Sequence, residues 1–321
     1  MKKILWIAAA IAGLFASASC QKEIPQDGIN GETANVTLTV QTPSVQTRTI
    51  SDGKKANIVH WVAFDNYGQP VDGLAGTAVI NDKVAQIDVT LVKHYDYNFV
   101  FWAHVGDEYG QNAAYGLSTF NEDGKVVVNY GGNANDENRD AFYAHQIIKI
   151  VSDNEVHTVP LYRPFAQINF LAADYKAVEA VGLHTNMTST ILMEGLPTVL
   201  NGIDGTVDQA AAGTTVNLAK YAIPSEDKYY TITDPATGVA TTYGWYSMNY
   251  ILATDKDTKD VTGLFYHDKK VDGVSIEVNN VPYERNHRTN IIGNFFTENV
   301  KVELIVMEGF NDEYVETYPQ L

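Results

Sequence analysis

The chain has 321 residues, with 22 lysines and arginines against 39 aspartates and glutamates and a formal net charge of −17. This length has room for two domains, each able to bury its own apolar core. A negative charge of this size repels phosphate groups, so we expect neither nucleic acid nor an anionic membrane surface as a partner.

The first twenty residues follow the order that is typical of a secretory signal peptide. Two lysines precede an apolar run, 4–15, which is followed by small residues, 16–19, and then by Cys20. The apolar run is too short to cross a bilayer core of roughly 30 Å as a helix. We therefore predict a signal peptide over residues 1–20.

Cys20 is the single cysteine of the chain, so no intrachain disulfide can form although the protein is expected to be exported. Its position after small residues resembles a bacterial lipoprotein box, in which the thiol is acylated. This predicts attachment to the outer membrane by the lipid only. The alternative is ordinary signal cleavage next to an incidental cysteine.

A polar segment, 21–32, leads from the signal peptide into the first predicted strand, 34–42. In that strand Val36, Leu38 and Val40 lie on one face and threonines lie on the other. Strict alternation of apolar and polar residues predicts a strand with one buried face.

A polar loop, 44–55, follows Pro43, which ends the strand. Arg48 lies in this loop between small polar neighbours. An exposed loop segment with a single basic residue between small polar neighbours is a good substrate for a trypsin-like protease. The pattern therefore indicates a cleavage point after Arg48.

The rest of the chain has the texture of an all-β protein, with turn signals between short apolar segments. A helical or compact-turn pattern is found only at 175–183. Pro164 cannot donate to a strand ladder and restricts Arg163 before it, so we predict two β-sandwich domains, 49–164 and 165–321, that meet here. The pattern predicts further strands at 58–65, 84–91, 97–104, 125–130, 155–161, 166–172, 188–193, 243–253, 275–281 and 300–307.

Five stretches form a pattern that covers nearly the whole chain: TRTISDG (47–53), FVFWA (99–103), RDAFY (139–143), LYRPFAQIN (161–169) and RNHRTNI (285–291). They resemble the fimbrillin-type surface proteins of Bacteroidales, which include the major subunits of type V pili. RPFAQ and RNHRTN are the most specific parts of this resemblance.

The resemblance implies an all-β fold with two consecutive β-sandwich domains of transthyretin-like, Greek-key topology. It also implies export as a lipoprotein precursor and cleavage by an Arg-specific protease, which makes Thr49 the first residue after Arg48. The propeptide would then be 21–48. Its strand would be exchanged for a strand of another subunit.

In that mechanism the groove-filling residues are Val36, Leu38 and Val40. Their removal would uncover an apolar groove bordered by unpaired backbone groups, which a strand from a neighbouring subunit can cover. The tail, 314–321, is one possible donor strand, and the sequence does not decide between it and the stronger pattern before it. That stronger candidate donor strand contains Val300, Val302, Leu304 and Val306.

A dense group of polar and charged residues at 283–288 precedes the last predicted strand. A catalytic interpretation would make His287 a base and use Glu284 with two arginines to hold an anion, but no nucleophile stands at a motif spacing nearby. We favour a structural interpretation, in which these groups pair with carboxylates or carbonyls. The residues of this structural motif are Arg163, Pro164, Arg285, His287 and Arg288.

The chain gives little sign of a metal or a cofactor. Its eight histidines are scattered without an HxH or HxxxH pair, so we expect neither. The segment 255–260 resembles a calcium loop, but Lys259 takes a ligand position, so we predict a solvated loop there and another at 133–140. The abundant aromatic residues are expected in the core, with a glycan-binding surface as the alternative.

Our leading hypothesis is a structural, non-enzymatic fimbrial subunit at the cell surface. Its partners would be other copies of the chain, accessory pilins, the processing protease and a host or bacterial surface ligand. One alternative is an uncleaved surface lipoprotein that binds a ligand such as a glycan. Another is an anchor or tip subunit of the fibre.

Overall fold

A computed structural model describes residues 31–43, 53–182, 187–208, 215–223, 228–234, 237–267, 270–297, 302–307 and 314–320. The first elements in chain order are β1 (Thr33–Gln41), β2 (Ile58–Phe64), β3 (Pro70–Val79), β4 (Val84–Val92), β5 (Asp96–His104), β6 (Tyr115–Gly116), α1 (Phe120–Asp123), β7 (Lys125–Val128), a 3-10 helix (Glu137–Arg139), β8 (Phe142–Lys149) and β9 (Glu155–Pro160).

The second half of the chain is also built almost entirely of strands. Its elements are β10 (Phe165–Ala172), α2 (Tyr175–Ala180), β11 (Thr188–Glu194), β12 (Val199–Asn201), β13 (Thr215–Asn217), β14 (Tyr221–Ala222), β15 (Tyr229–Thr233), β16 (Ala240–Leu252), β17 (Lys256–His267), β18 (Lys270–Glu284), β19 (Arg288–Gly293), β20 (Val302–Met307) and β21 (Tyr314–Gln320).

The N-terminal sandwich pairs a three-stranded sheet, in the order β4-β1-β9, with a four-stranded sheet, in the order β3-β2-β5-β8. Buried side chains of both sheets form one apolar cluster, to which β2 and β5 contribute Trp61, Phe99 and Phe101. The Phe99 and Phe101 rings stack with their centroids 5.9 Å apart. This cluster is the core on which β1 lies.

The C-terminal sandwich pairs a six-stranded sheet, in the order β15-β16-β10-β19-β20-β21, with a sheet in the order β13-β11-β17-β18, where β14 also pairs with β11. Aromatic rings fill the space between the two sheets. Phe170 meets Phe265 edge to face at 5.4 Å, and Phe265 stacks on Phe295 at 5.7 Å. The predicted all-β fold with two consecutive sandwiches is confirmed.

The β2 and β5 strands pack their other face on the C-terminal sandwich, in an apolar cluster separate from the core inside the N-terminal sandwich. The Trp102 ring lies 6.2 Å from the Phe165 ring, across the predicted domain boundary. Tyr130 Oη donates to the Pro197 carbonyl oxygen at 3.2 Å and accepts from the Leu252 backbone N–H at 2.9 Å. A small sheet in the order β12-β7-β6 adds backbone bonds across the same junction. The boundary between residues 164 and 165 stays a prediction.

The predicted solvated loop at 255–260 is wrong, because β17 begins at Lys256 and pairs with β18 from there. The first residues of β17 are exposed, so a strand in this position carries polar side chains and has no apolar alternation to reveal it. Strand β3 was not predicted either. Its Asp72-Gly73 pair looks like a turn, but Gly73 has a φ of 77° inside a continuous strand.

Two histidines that are distant in sequence meet in the N-terminal sandwich. The His60 and His104 rings have centroids 5.2 Å apart, and their Nε2 atoms lie 3.3 and 3.2 Å from the same Gly110 carbonyl oxygen. Trp102 Nε1 donates to His104 Nδ1 at 3.2 Å. Burial lowers the pKa of both histidines, and that of His104 to about 4. The folded protein therefore favours the neutral form of both histidine rings.

We predict that the free energy of unfolding decreases as the pH falls from about 6.5 to about 4. Over this range the unfolded chain binds a proton at His104 that the folded chain does not bind, which costs about 3 kcal/mol in total. Urea unfolding at several pH values measures the effect. The variant His104→Gln, which does not titrate, should lose less stability over the same range, and an equal loss would contradict the assignment.

Candidate functional site

Strand β1 is the middle strand of its sheet. It pairs antiparallel with β4 over nine residues, from Thr33 opposite Val92 to Gln41 opposite Val84. On its other side it pairs parallel with β9 over six residues. Both backbone edges of β1 are therefore used in strand ladders, as in a strand that belongs to the sheet rather than one that lies beside it.

The apolar face of β1 lies in the core of the N-terminal sandwich. Val36, Leu38 and Val40 are 2%, 0% and 1% exposed. Burial of three such side chains contributes about 5 to 9 kcal/mol relative to exposure in water, as an upper estimate. On the opposite face Thr37 Oγ1 donates to Asp88 Oδ1 on β4 at 2.6 Å. The alternation that was read from the sequence corresponds to these two faces.

Both ends of β1 are tied to neighbouring elements. At its start the Glu32 carbonyl oxygen accepts from the Lys93 backbone N–H at 2.7 Å, and Lys93 Nζ lies 3.2 Å from Glu32 Oε2. At its end the Thr42 backbone N–H donates to the Lys83 carbonyl oxygen at 3.0 Å. β1 itself ends at Gln41.

The predicted lipidation and cleavage residues, Cys20, Arg48 and Thr49, lie outside the described residues. Their roles stay predictions. The described chain stops at Pro43 and resumes at Gly53. Arg48 is therefore five residues after Pro43, the last described residue that follows β1.

Without β1, its sheet would consist of two strands that do not pair with each other. In the described part of the chain, β4 and β9 have no other partner within this sheet. The space between them would be as wide as one strand. The apolar cluster of Trp61, Phe99 and Phe101 would lie at its bottom, and unpaired backbone groups would lie along both of its sides. Such a groove accepts an extended segment with alternating apolar side chains.

The candidate donor residues lie in β20, except Val300, which is outside the described residues. β20 pairs with β19 on one side and with β21 on the other. Leu304 is 0% and Val306 7% exposed, while Val302 is half-buried. β20 is thus an integrated strand of its own sheet. β21 lies at the edge of the same sheet, with β20 as its neighbour.

Arg163, from the predicted structural motif, forms a buried ion pair. Its Nε and Nη2 atoms donate to Asp140 Oδ1 at 2.7 Å and Oδ2 at 2.8 Å, and the two side chains are 0% and 5% exposed. Arg163 also lies over the Phe142 ring at 4.7 Å. This corrects the prediction of a charged, solvated loop at 133–140, because Asp140 at its end is only 4% exposed. Pro164 directly precedes β10.

Arg285 joins three segments near the same junction. Its Nη2 atom donates to the Gly205 carbonyl oxygen at 2.8 Å and to the Ala253 carbonyl oxygen at 3.2 Å, and Nη1 lies 3.3 Å from Tyr143 Oη. His287 Nδ1 lies 2.9 Å from the Arg285 carbonyl oxygen. These contacts fit a structural role, because the groups contact the backbone of the protein itself.

Arg288 is buried at the start of β19, where it is 1% exposed. Its Nε atom donates to Gln167 Oε1 at 2.6 Å, and its Nη1 atom contacts Tyr230 Oη. The guanidinium carbon also lies 5.5 Å from the centre of the Tyr230 ring. The motif thereby links β10, β15 and β19 in one sheet.

The described residues contain no group of three or more side chains that could hold a metal ion. No helix in the described part of the chain is both long enough and apolar enough to cross a membrane. Sequence reasoning missed Asp140 as the partner of Arg163 and β9 as the partner of β1. The spacing of these residues carries no signal for the pairing, which depends on which strands become neighbours.

The sequence profile of a family of unknown function, DUF6562, matches residues 27–320. The chain belongs to this family. The matched range begins before β1 and includes every strand of both sandwiches. No protein with a curated description matches the chain.

Solved structures similar to this DUF6562 member include a fimbrial assembly protein from Parabacteroides distasonis, with 11% identity, a TM-score of 0.49 and coverage of 91% of this chain and 100% of that chain. The tip fimbrial protein Mfa3 from Porphyromonas gingivalis, with a C-terminal truncation, has 10% identity, a TM-score of 0.47 and coverage of 86% and 100%. Proteins of the kind that the sequence resembles are thus among the similar structures.

We predict that Leu38→Ala lowers the free energy of unfolding of this DUF6562 member by about 2 to 5 kcal/mol, because it leaves a cavity under β1. Thr39→Ala, on the outward face of the same strand, is the matched control and should change it by about 0.5 kcal/mol or less. Urea unfolding of the uncut chain measures both values. Equal effects would mean that β1 does not support the core.

We also predict that Asp140→Ala lowers the free energy of unfolding by about 3 to 5 kcal/mol, because it leaves the Arg163 guanidinium buried without its carboxylate. The control is Asp96→Ala, which breaks the exposed ion pair with Lys149 at 3.7 Å and should cost about 1 kcal/mol or less. Thermal unfolding of both variants tests this. A small effect of Asp140→Ala would refute the role of the buried pair.

Proposed function

We propose that this chain is the precursor of a fimbrial subunit, exported as a lipoprotein, in which β1 is a temporary strand. Cleavage after Arg48 separates β1 from the rest of the chain, and a strand of another subunit then takes its place. The observation that carries the proposal is the position of β1. It lies between β4 and β9 with Leu38 in the core, and it ends at Gln41, seven residues before Arg48.

The distribution of arginines supports specific cleavage at Arg48. The chain has five arginines. Arg139, Arg163 and Arg288 are 4%, 0% and 1% exposed, and Arg285 is half-buried and bonded to backbone carbonyls. A protease needs an extended, accessible segment. The four described arginines are therefore poor substrates in the folded protein, which leaves Arg48 as the expected site.

The cut does not release β1 by itself. The excised segment keeps its backbone bonds to β4 and β9 and its three buried side chains, so it stays bound until another strand competes for the groove. A donor strand can pair with the same two edges and bury similar side chains. The gross gain is offset in part by association entropy and by ordering of the donor. After cleavage, the donor strand thus displaces the β1 segment from the groove.

We propose that the tail at β21 is the segment that leaves its own domain. β21 is an edge strand, so its departure breaks one ladder, whereas β20 would have to break two and withdraw Leu304 from the core. Pro319 within β21 suits an edge strand because proline cannot donate to a ladder. When β21 leaves, β20 becomes the new edge of an otherwise intact sheet.

The resulting assembly is a surface fibre of repeated copies, with a structural rather than an enzymatic role. The lipoprotein leader supports export and attachment at the outer membrane before cleavage. Cleavage at Arg48 would separate the acylated Cys20 from the mature chain. Other copies and accessory pilins are the partners that donate or accept strands, and adhesion to a surface ligand is the function of the fibre.

Treatment of the purified precursor with an Arg-specific protease tests this proposal. Trypsin is unsuitable because Lys54 and Lys55 follow closely. We predict cleavage after Arg48 and a shift to oligomers on a sizing column. Arg48→Ala should stay uncut and monomeric. A chain that ends at residue 313 should be cut but should stay monomeric, because it keeps the groove and lacks the donor.

A precursor that is cut after Arg48 and remains monomeric at high concentration would contradict the proposal. Oligomers of the truncated chain would contradict the assignment of β21 as the donor and would favour β20. Mass spectrometry of the cut product should show the fragment that carries β1 bound to the monomer and absent from the oligomer.

A further inference from the structure

Strand β4 lies at one edge of the three-stranded sheet of the N-terminal sandwich. It pairs with β1 on one side and, in the described part of the chain, with no strand on the other. The facing sheet has four strands, so the sheet that contains β4 is one strand narrower. A cleft of about 870 Å³ lies beside β4, and its lining includes 73–78 of β3 and 86–90 of β4. The narrower sheet thus has room for a further strand at this edge.

The backbone groups of β4 point alternately to its two edges. At one end of the strand the Lys93 N–H donates to the Glu32 carbonyl oxygen at 2.7 Å, and at the other end the Thr42 N–H donates to the Lys83 carbonyl oxygen at 3.0 Å. Residues of an antiparallel strand bond to the same partner at every second position. The odd-numbered residues of β4 therefore bond to β1, and the even-numbered residues direct their N–H and C=O groups to the free edge.

Both ends of this free edge are bonded within the protein. Val84 exchanges two backbone hydrogen bonds with Asn81, at 2.9 and 3.0 Å. At the other end the Val92 N–H donates to Tyr97 Oη at 2.9 Å. These bonds agree with the alternation, because Val84 and Val92 both have even numbers. They leave the middle of the edge open.

The open part of the edge comprises Gln86, Asp88 and Thr90. No backbone hydrogen bond among the described residues reaches their outward N–H and C=O groups. Gln86 and Asp88 are exposed and Thr90 is half-buried, so an incoming chain can reach them. Three such residues at two-residue spacing form a template for one further strand of about five residues.

The neighbouring edge strand, β3, is less suited to strand addition. It begins with Pro70, which has no N–H to donate, and Gly73 has a φ of 77° inside the strand. A residue in the left-handed region disturbs the regular spacing of backbone groups along an edge. No residue of β4 has a positive φ, so β4 offers the regular edge.

Asp88 lies at the centre of the open edge and selects the strand that fits there. Its Oδ1 atom accepts from Thr37 Oγ1 at 2.6 Å, and a carboxylate accepts further hydrogen bonds. Among the described residues that line the cleft, Asp88 is the single carboxylate and none is a lysine, an arginine or a histidine. A basic side chain opposite Asp88 is therefore attracted. Two copies of β4 paired about their centres would place Asp88 opposite Asp88, where like charges repel.

We propose that β4 is the docking edge for an extended segment of another protein that carries a lysine or an arginine. The segment pairs antiparallel with β4, and its basic side chain lies opposite Asp88. The free edge is opposite to the one that bonds to β1, so the site does not depend on cleavage or on strand exchange. An extended basic peptide is thereby the chemical class of the surface ligand.

Calorimetric titration of the uncut precursor with synthetic peptides tests the docking edge. The probe is the peptide Thr-Val-Lys-Val-Thr, acetylated and amidated at its ends, whose lysine and threonines align with the three outward residues of β4. We expect saturable binding at about 1 mM peptide or below. Replacement of the lysine by glutamate should weaken binding at least tenfold.

Methylation of single peptide nitrogens separates strand pairing from the attraction of charges alone. In the antiparallel arrangement the lysine N–H donates to the Asp88 carbonyl oxygen, whereas the N–H groups of both valines point away from β4. N-methylation at the lysine should therefore abolish binding. N-methylation at a valine should change the affinity by about threefold at most.

Variants of β4 locate the site. Thr90→Pro removes an outward N–H that does not bond to β1, so the fold should be kept while peptide binding is lost. The matched control Thr90→Val removes the same hydroxyl but keeps the N–H, and it should bind as the unchanged chain does. Asp88→Lys should reverse the preference, so that the glutamate peptide binds more tightly than the lysine peptide. Circular dichroism checks that each variant folds.

The proposal is overturned if the lysine peptide does not bind the unchanged chain, if N-methylation at its lysine has no effect, or if Asp88→Lys keeps the original preference. A dimer of the uncut precursor that Thr90→Pro abolishes would assign the edge to a second copy and would also overturn it. If Thr90→Pro does not fold, the N-methylated peptides decide. Failure of the cleaved chain to form oligomers would count against the proposed function alone, because the peptides are titrated against the uncut precursor.

Discussion

The stability of the N-terminal sandwich depends on one strand that occupies the middle of a three-stranded sheet. β4 and β9 pair with β1 and not with each other. The same strand covers the apolar cluster below with Val36, Leu38 and Val40. A middle strand therefore satisfies two sets of backbone groups and closes the core. Its loss exposes both at once, so a replacement strand has a strong driving force to enter.

The contacts that join the two sandwiches do not involve β1. The Arg163–Asp140 pair, the contacts of Arg285 with carbonyl groups and the shared aromatic contacts around Phe165 join the two sandwiches without using β1. The described contacts between the sandwiches would therefore remain if β1 were exchanged as proposed. Under the proposed strand exchange, a subunit would enter a fibre without refolding as a whole.

Much of this fold follows from local patterns. Alternating apolar residues predicted β1 and β4 correctly because each has one face in the core. The same rule failed for β17, because the first residues of that strand are exposed on both faces. It also failed for β3, in which a glycine in a left-handed conformation interrupts an otherwise regular strand. The buried face of β1 was readable from Val36, Leu38 and Val40. Its parallel neighbour was not.

Contacts between residues far apart in the chain could not be predicted from the sequence. Asp140 lies 23 residues before Arg163, and His60 lies far from His104, so no helical or strand period connects the partners. They meet because particular strands become neighbours, which is decided by the packing of whole sheets.

N-terminal sequencing of the chain as it occurs on the bacterial surface tests the central idea most directly. If β1 is a temporary strand, the polymerised material begins at Thr49 and lacks residues 33–41. Surface material that begins at Cys20, with β1 still joined to the rest of the chain, would contradict the account.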